Sequence, residues 1–387
     1  MKRILLKTGY MGLGAIEQLA FDILCHLSKE YEVILVIENE INNHLVEKLP
    51  KNIKYFYLKD KKFIENMRSL RENKNFCNRI KYNFLLSYEK VLCYKKINKW
   101  IKKNGKVDLF IDYDGMSMKY AEKIDVDKKI VWQHTSLNSV KNLERLRKRI
   151  LKYDKVILIC DEMKEEYSEK FPDLKDKFVR LYNFLDLDRI KKMELNIENL
   201  TEQEKKMQEE RYCISIARLD EPKDFKTLIK SFKILKENGK IEKLYIIGEG
   251  ELREEIEKQI ETEELKDTVY LLGKKMNPYT WLKNSILFVH SSKREGFPAV
   301  LLEGLACKKM VISSQCKTGP KEVLGEGKYG VLYEVGNYSQ LAKILERALE
   351  NINLREEYEK MGYERVKEFD KNIVLQEYSE FLKGLLK

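Results

Sequence analysis

Two short stretches of this 387-residue chain gather residue types that suit a phosphorylated, hydroxyl-rich small molecule. In Ser292-Lys293-Arg294-Glu295-Gly296-Phe297-Pro298-Ala299-Val300-Leu301-Leu302-Glu303-Gly304-Leu305-Ala306-Cys307, Glu295 and Glu303 flank a helix start. Pro298 suits the first helical position, which leaves Glu295 in the loop and puts Glu303 inside the helix. Helical spacing gives Glu303 the neighbours Ala299, Val300, Ala306 and Cys307. A carboxylate buried unpaired in such a surround costs several kcal/mol, so it calls for hydroxyls or cations. Backbone N–H groups over 297–300, at a helix N-terminus, suit phosphate or sugar oxygens. A chance surface glutamate on a plain helix is the competing reading.

The second stretch is Ala217-Arg218-Leu219-Asp220-Glu221-Pro222-Lys223, with Asp224 as N-cap of the next helix. Two cations beyond a strand, beside a helix N-terminus, can neutralise a diphosphate. His134 closes the strand Lys129–Gln133, a place for a crevice residue, although a hydrogen-bonded structural histidine reads equally well. In Gly12-Leu13-Gly14-Ala15-Ile16-Glu17, Gly14 and Ala15 allow a phosphate or acceptor to approach the backbone. The third glycine of a dinucleotide fingerprint is missing, which argues against NAD. Asp-x-Asp occurs at Asp112/Asp114, Asp125/Asp127 and Asp186/Asp188, close to chance among 63 acidic residues, so a divalent cation is not expected. Arg218 and Lys223 already supply positive charge, which makes a metal redundant and predicts metal-independent chemistry.

The elements that must position these residues alternate strand and helix. Strands are expected at Lys2–Lys7, Tyr31–Ile37, Ile53–Tyr57, Val107–Asp112, Lys129–Gln133 and Val156–Cys160. A second series follows at Tyr212–Ala217, Leu244–Ile247, Thr268–Leu272, Ile286–Val289 and Met310–Ser313. The longest helix is expected over about Asn78–Lys103. The charged run Asp186–Glu210 reads as a partly helical connection. This alternation predicts two doubly wound α/β domains, 1–185 and 186–371, facing a cleft, with a last helix over 372–387 packing back on the first.

Charge is placed unevenly. Residues 1–190 hold 39 Lys and Arg against 28 Asp and Glu, all of the net +11, and residues 51–110 alone hold 17 against 5. Aromatics interleave with these cations, among them Tyr55, Phe56, Phe76, Phe84, Tyr88 and Trp100. The segment reads as a solvated lysine-rich face, an anionic inner-membrane surface or a nucleic-acid groove. No stretch of about 18 uncharged apolar residues exists, and Lys7 cuts the opening apolar run short of a leader. Seven scattered cysteines without a C-x-x-C pair fit a reducing cytosol.

With these motifs in place, the chain resembles the family 4 retaining glycosyltransferases of GT-B architecture from about residue 8 to 350. The family's E-x7-E signature matches Glu295 to Glu303, and its G-R-L…K pattern matches Ala217-Arg218-Leu219…Lys223 with alanine for the usual glycine. Its G-x-G turn matches Gly248-Glu249-Gly250, its glycine loop and glutamate match Gly12 to Glu17, and its strand ending in histidine matches Val131-Trp132-Gln133-His134. Leu181-Tyr182-Asn183 and Gly319-Pro320-Lys321-Glu322 match two further stretches.

The resemblance implies that Arg218 and Lys223 hold the β-phosphate of a nucleotide-sugar, a UDP-sugar being favoured. It implies Glu295 on the donor sugar's hydroxyls and Glu303 on the nucleotide ribose. Gly296, Phe297, Pro298, Val300 and Leu301 would frame sugar and phosphate, with Gly248 at the nucleotide and Lys274 or Lys275 near the base. His134 would contact the sugar's reacting face, and Gly12, Gly14, Ala15 and Glu17 the acceptor or a phosphate. The implied activity is transfer of a hexose or N-acetylhexosamine, with no cofactor and no metal, to a saccharide or lipid-linked acceptor in bacterial surface glycan synthesis. A GT-B nucleotide-sugar epimerase and a basic nucleic-acid binder are the alternatives; nucleic acid is not the expected partner.

Overall fold

Strands such as Glu32–Asn39, read EVILVIEN, carry apolar side chains on both faces and are buried from their second residue onward. Such runs need cover on both sides, the condition of a parallel sheet sandwiched by helices. The computed structural model describes every residue except Leu13, Lys74 and Asn199. It divides into one unit of residues 1–181 with 375–387 and another of residues 182–374.

The first unit holds β1 (Arg3–Thr8), β2 (Glu32–Asn39), β3 (Lys54–Lys59), β4 (Leu109–Asp112), β5 (Lys128–Gln133), β6 (Lys155–Leu158) and β7 (Phe178–Arg180). They form one parallel sheet in the order β3-β2-β1-β4-β5-β6-β7. The second unit holds β8 (Tyr212–Ile216), β9 (Lys243–Ile247), β10 (Val269–Gly273), β11 (Leu287–His290), β12 (Met310–Ser314) and β13 (Val331–Tyr333). Its parallel order is β10-β9-β8-β11-β12-β13. In both sheets the strand order reverses once, at β1/β4 and at β8/β11, and ligands of doubly wound sheets bind beyond the carboxyl ends of the strands at such points.

Each unit has its own core. In the second, the helix Phe225–Glu237 buries Phe225, Leu228, Ile229, Phe232 and Leu235, the three-and-four spacing of one face, against Leu244, Ile246 and Leu287. Each such side chain removed from water stabilises by about 1.5–3 kcal/mol. In the first, the helix Phe76–Asn104 is capped by Asn75, whose Oδ1 accepts the Asn78 amide at 2.8 Å. Only its second half enters the core, through Cys93, Ile97 and Ile101.

Expected and observed strands agree to within two residues at each end, but the two edge strands β7 and β13, three residues each, were not anticipated. Phe178-Val179-Arg180 and Val331-Leu332-Tyr333 are too short to show a pattern of their own. The run Asp186–Glu210 contains the helices Leu187–Met193 and Glu202–Gln208 and lies in the second unit. The last helix is Lys371–Leu385, and from Leu375 onward it belongs to the first unit. There Ser379 bonds His26 at 2.7 Å and Glu377 pairs with Arg180 at 3.1 Å.

Candidate functional site

The switch point of the second unit is built by β8, β11 and the segments that leave them. β11 ends at His290, 1% exposed, and Ser291 and Ser292 follow, also buried. The chain then turns through Glu295 to the helix Ala299–Ala306. Pro298 is the N-cap of that helix rather than its first residue, because its ψ of 89° is not helical although its φ of −75° fits a helix. The amides of Ala299 and Val300 open the helix and have no intrahelical acceptor.

Glu295 is gripped on one oxygen. His290 Nε2 donates to its Oε1 at 2.8 Å, Ser292 Oγ at 2.6 Å and Lys223 Nζ at 2.6 Å. Oε2 has no hydrogen-bond partner among the described residues. Burial alone would raise this carboxyl, but the bonds from His290 and the charge of Lys223 outweigh it and hold it at about 2. The Thr318 hydroxyl donates to the Glu295 carbonyl at 2.5 Å and fixes the backbone beneath.

Glu303 lies eight residues on, half-buried, in different surroundings. Its Oε1 accepts the Tyr279 hydroxyl at 3.1 Å. Burial pushes its carboxyl up to about 7, against the weaker pull of Tyr279 and of the Arg189 charge. No bond joins Glu303 to Glu295 or Lys223 among the described residues, so the two carboxylates form neighbouring sites rather than one cluster.

Arg218 departs from expectation: its side chain is 82% exposed and, among the described residues, pairs only with Asp220, at 3.0 Å. Lys223 alone of the two cations reaches Glu295 because the turn Glu221–Lys223 brings it back over β11, where Ser291 Oγ bonds its carbonyl at 2.8 Å. Asp224 does occupy the N-cap of Phe225–Glu237, but its Oδ2 accepts the Thr227 hydroxyl at 2.7 Å instead of a backbone amide. Its left-handed φ of 48° and ψ of 48° put the side chain out of reach of the cap amides.

Lys275 is taken by Glu204 at 2.8 Å and lies over the Trp281 ring, whereas Lys274 is exposed with no partner among the described residues. Leu301 is fully buried and faces the core, not a ligand, since it shares the sheet-facing side of its helix with Leu302 and Leu305. The Phe297 ring packs on Tyr182 at 5.6 Å and Phe369 at 5.7 Å, so the ring is held by the protein and not offered to a ligand. Gly248 serves packing: a Cβ there would stand 1.8 Å from the Ala217 carbonyl oxygen, in the loop that carries Arg218. Sequence reasoning gave no role to His290, Ser292, Tyr279 or Arg189. A histidine ending a strand was a usable signal for the first, as it had been for His134.

The first unit's switch point is organised otherwise. Lys7 is fully buried, with Nζ 2.5 Å from Glu38 and 2.9 Å from Asp114. Lys59 bridges Glu38 and Glu89 at 2.9 Å each, and Lys119 reaches Glu89 at 3.1 Å. Burial would lower Lys7, but Asp114 and Glu38 raise it well above the usual lysine range. Asp112 accepts the Tyr153 hydroxyl at 2.7 Å, and burial pushes it up to about 7. Each member of the Asp112/Asp114 pair is thus engaged by protein donors, with Lys7 as the local cation.

Beside this network, His134 Nε2 donates to the Tyr113 carbonyl at 2.7 Å, and Nδ1 is buried without a partner among the described residues. Burial lowers the His134 pKa, which keeps the ring neutral with Nδ1 as an acceptor. Gly14 caps the helix Ala15–Leu27, and Glu17 folds back over it, so that a Cβ on Gly14 would stand 2.2 Å from a Glu17 carboxylate oxygen. Gly12 lies against the Asn42 carbonyl, and Leu13 lies outside the described residues.

Two parallel doubly wound units, each with its switch point at the middle strands, define a GT-B glycosyltransferase fold. Residues 196–365, which lie within the second unit, match the family model described as glycosyl transferases group 1. A curated relative is an uncharacterized glycosyltransferase of Methanocaldococcus jannaschii, 32% identical over 62% of this chain and 66% of its own length. Another is the N-acetylgalactosamine-N,N'-diacetylbacillosaminyl-diphospho-undecaprenol 4-alpha-N-acetylgalactosaminyltransferase of Campylobacter jejuni, 33% identical over 60% of this chain and 62% of its own length. The chain therefore spans just under two thirds of both relatives. Among solved structures, Anabaena HepE in complex with UDP and glucose superposes with a TM-score of 0.77 at 15% identity, over 99% of this chain and 100% of that one.

Proposed function

We propose that this chain is a retaining glycosyltransferase that moves a hexose or N-acetylhexosamine from a UDP-sugar to a saccharide or lipid-linked saccharide, at the cytoplasmic face of a membrane. The observation that carries the reading is Glu295, clamped on Oε1 by His290, Ser292 and Lys223 with Oε2 left over, at the switch point of a group 1 domain. A carboxylate so fixed is ready to accept hydroxyls of the donor sugar without reorganising.

Lys223 then stands between that sugar and its leaving group. Its charge, joined by Arg218 swinging from the surface, offsets the charge that builds on the β-phosphate as the glycosyl bond breaks. The first amides of the helix Ala299–Ala306 add donors on the same side. Glu303 and Tyr279 receive the ribose hydroxyls, and the unpaired Lys274 stands toward the base. In the first unit the neutral His134 offers Nδ1 to the transferred sugar, and the loop of Gly12, Gly14, Ala15 and Glu17 receives the acceptor. Two cations at the leaving group support turnover without a metal. The Campylobacter relative, whose name specifies an alpha-linked N-acetylgalactosamine placed on a diphospho-undecaprenol acceptor, supports both the sugar class and the lipid-linked acceptor.

Thermal stabilisation across UDP-, GDP- and ADP-sugars identifies the donor, and NMR of the product's anomeric proton reads retention. UDP-sugars are expected to stabilise most and turnover to persist in EDTA. Stabilisation by none of the three, or loss of turnover in EDTA restored by a divalent cation, would overturn the corresponding part of the reading.

A further inference from the structure

We propose that the first half of the helix Phe76–Asn104 is a docking ridge that seats on an anionic lipid bilayer. Phe76, Ile80, Phe84 and Tyr88 follow one another at intervals of four, which places them along one helical face, and they are 78%, 55%, 70% and 47% exposed. Single exposed apolar residues are ordinary on protein surfaces, but a ridge of four large ones marks a surface with a partner. Nothing in the fold requires the ridge. The core receives Cys93, Ile97 and Ile101 from the second half of the helix, whereas the first half is backed by the helix Lys61–Glu72, with Phe63 6.5 Å from Tyr88.

Charge identifies the occupant. Exposed Arg79 and Lys81 flank the ridge, and exposed Lys95 and Lys99 continue toward the far end of the helix. The surrounding segment 51–110 carries 17 cations against 5 acids. Apolar side chains that enter the acyl boundary, with cations at headgroup level, are how an interfacial helix binds an anionic membrane. A second copy of this chain would bring the same cations face to face and is disfavoured by repulsion. The docking ridge deepens the membrane placement of the proposed function, and its test is separable from glycosyl transfer, since vesicle binding needs neither donor nor acceptor.

The test is co-sedimentation of the full chain with vesicles of phosphatidylglycerol and phosphatidylethanolamine in equal parts, against pure phosphatidylcholine, at low and high salt. Capture on the anionic vesicles is expected to be at least tenfold tighter and to weaken with salt. Phe76→Ser, Ile80→Ser and Phe84→Ser combined should lower it about tenfold or more with an unchanged melting temperature, since all three positions are exposed. Arg79→Gln and Lys81→Gln should each lower it about fivefold. Equal capture on both vesicle types, no capture, or full capture by the triple variant would overturn the proposal. So would a dimer that the triple variant dissolves, or salt-sensitive binding of single-stranded RNA, in the absence of vesicle capture.

Discussion

The two sheets present ionised groups at the same topological place and use them in opposite ways. Beside β1/β4, Asp114, Lys7, Glu38, Lys59, Glu89 and Lys119 pair with one another in an unbroken line. At β8/β11, among the described residues, Glu295 keeps one oxygen unbonded, Arg218 lies in solvent beside Asp220, and Glu303 sits with a single hydroxyl for a hydrogen-bond partner. A dense set of buried charges is therefore a poor sign of a ligand site when its members satisfy each other. A sparser set with valences left over is the better sign, and it is why we propose the donor site in the second unit.

That contrast can be broken at its strongest point first. Lys7→Met takes the cation from Asp114 and leaves the buried Glu38 with Lys59 alone, and should cost about 3–5 kcal/mol, read from the urea midpoint. Folded molecules of this variant should still bind UDP. Glu295→Gln should do the reverse: kcat/KM falls about 10²–10³-fold while stability near neutral pH changes by only about 1–2 kcal/mol. Glu295 also contributes stability of its own. Its pKa is held below the ordinary 4.5, so that contribution is present above that pH and lost as pH falls toward about 2.

Glu303 sharpens the contrast within the second unit. With its carboxyl raised to about 7, ionisation is disfavoured by folding, and stability should decline from about pH 4.5 to about pH 7 and then level. If the carboxylate is the form that receives ribose hydroxyls, UDP affinity should rise severalfold across neutrality, and Glu303→Gln should flatten both profiles. Thermal melts at a series of pH values read the first and calorimetric titration the second. Arg218→Ala is the smallest perturbation: exposed as its ion pair is, stability should change by less than about 0.5 kcal/mol, with kcat/KM lower by about tenfold.

Most of the architecture was legible because it rests on local patterns. Apolar runs gave eleven of the thirteen strands, and the Glu295–Glu303 segment announced a strand, a loop and a helix start through Gly296 and Pro298. What could not be read depends on partners distant in sequence. Lys7 looked like an interruption of an apolar run, but Glu38 on the neighbouring strand makes it a buried cation. Arg189 lay in a charged stretch read as a connection, although its charge acts on Glu303 and Tyr279. Arg218 and Lys223 looked equivalent, and only the path of the Glu221–Lys223 turn separates them.

The most direct measurement is UDP and UDP-sugar affinity for wild type and Lys223→Met, by calorimetry near neutral pH. UDP affinity is predicted to fall about tenfold or more in the variant, and UDP-sugar affinity further still, because Glu295 loses the cation that fixes it. Equal affinities for both ligands in the two proteins would contradict the assignment of the donor to the β8/β11 switch point.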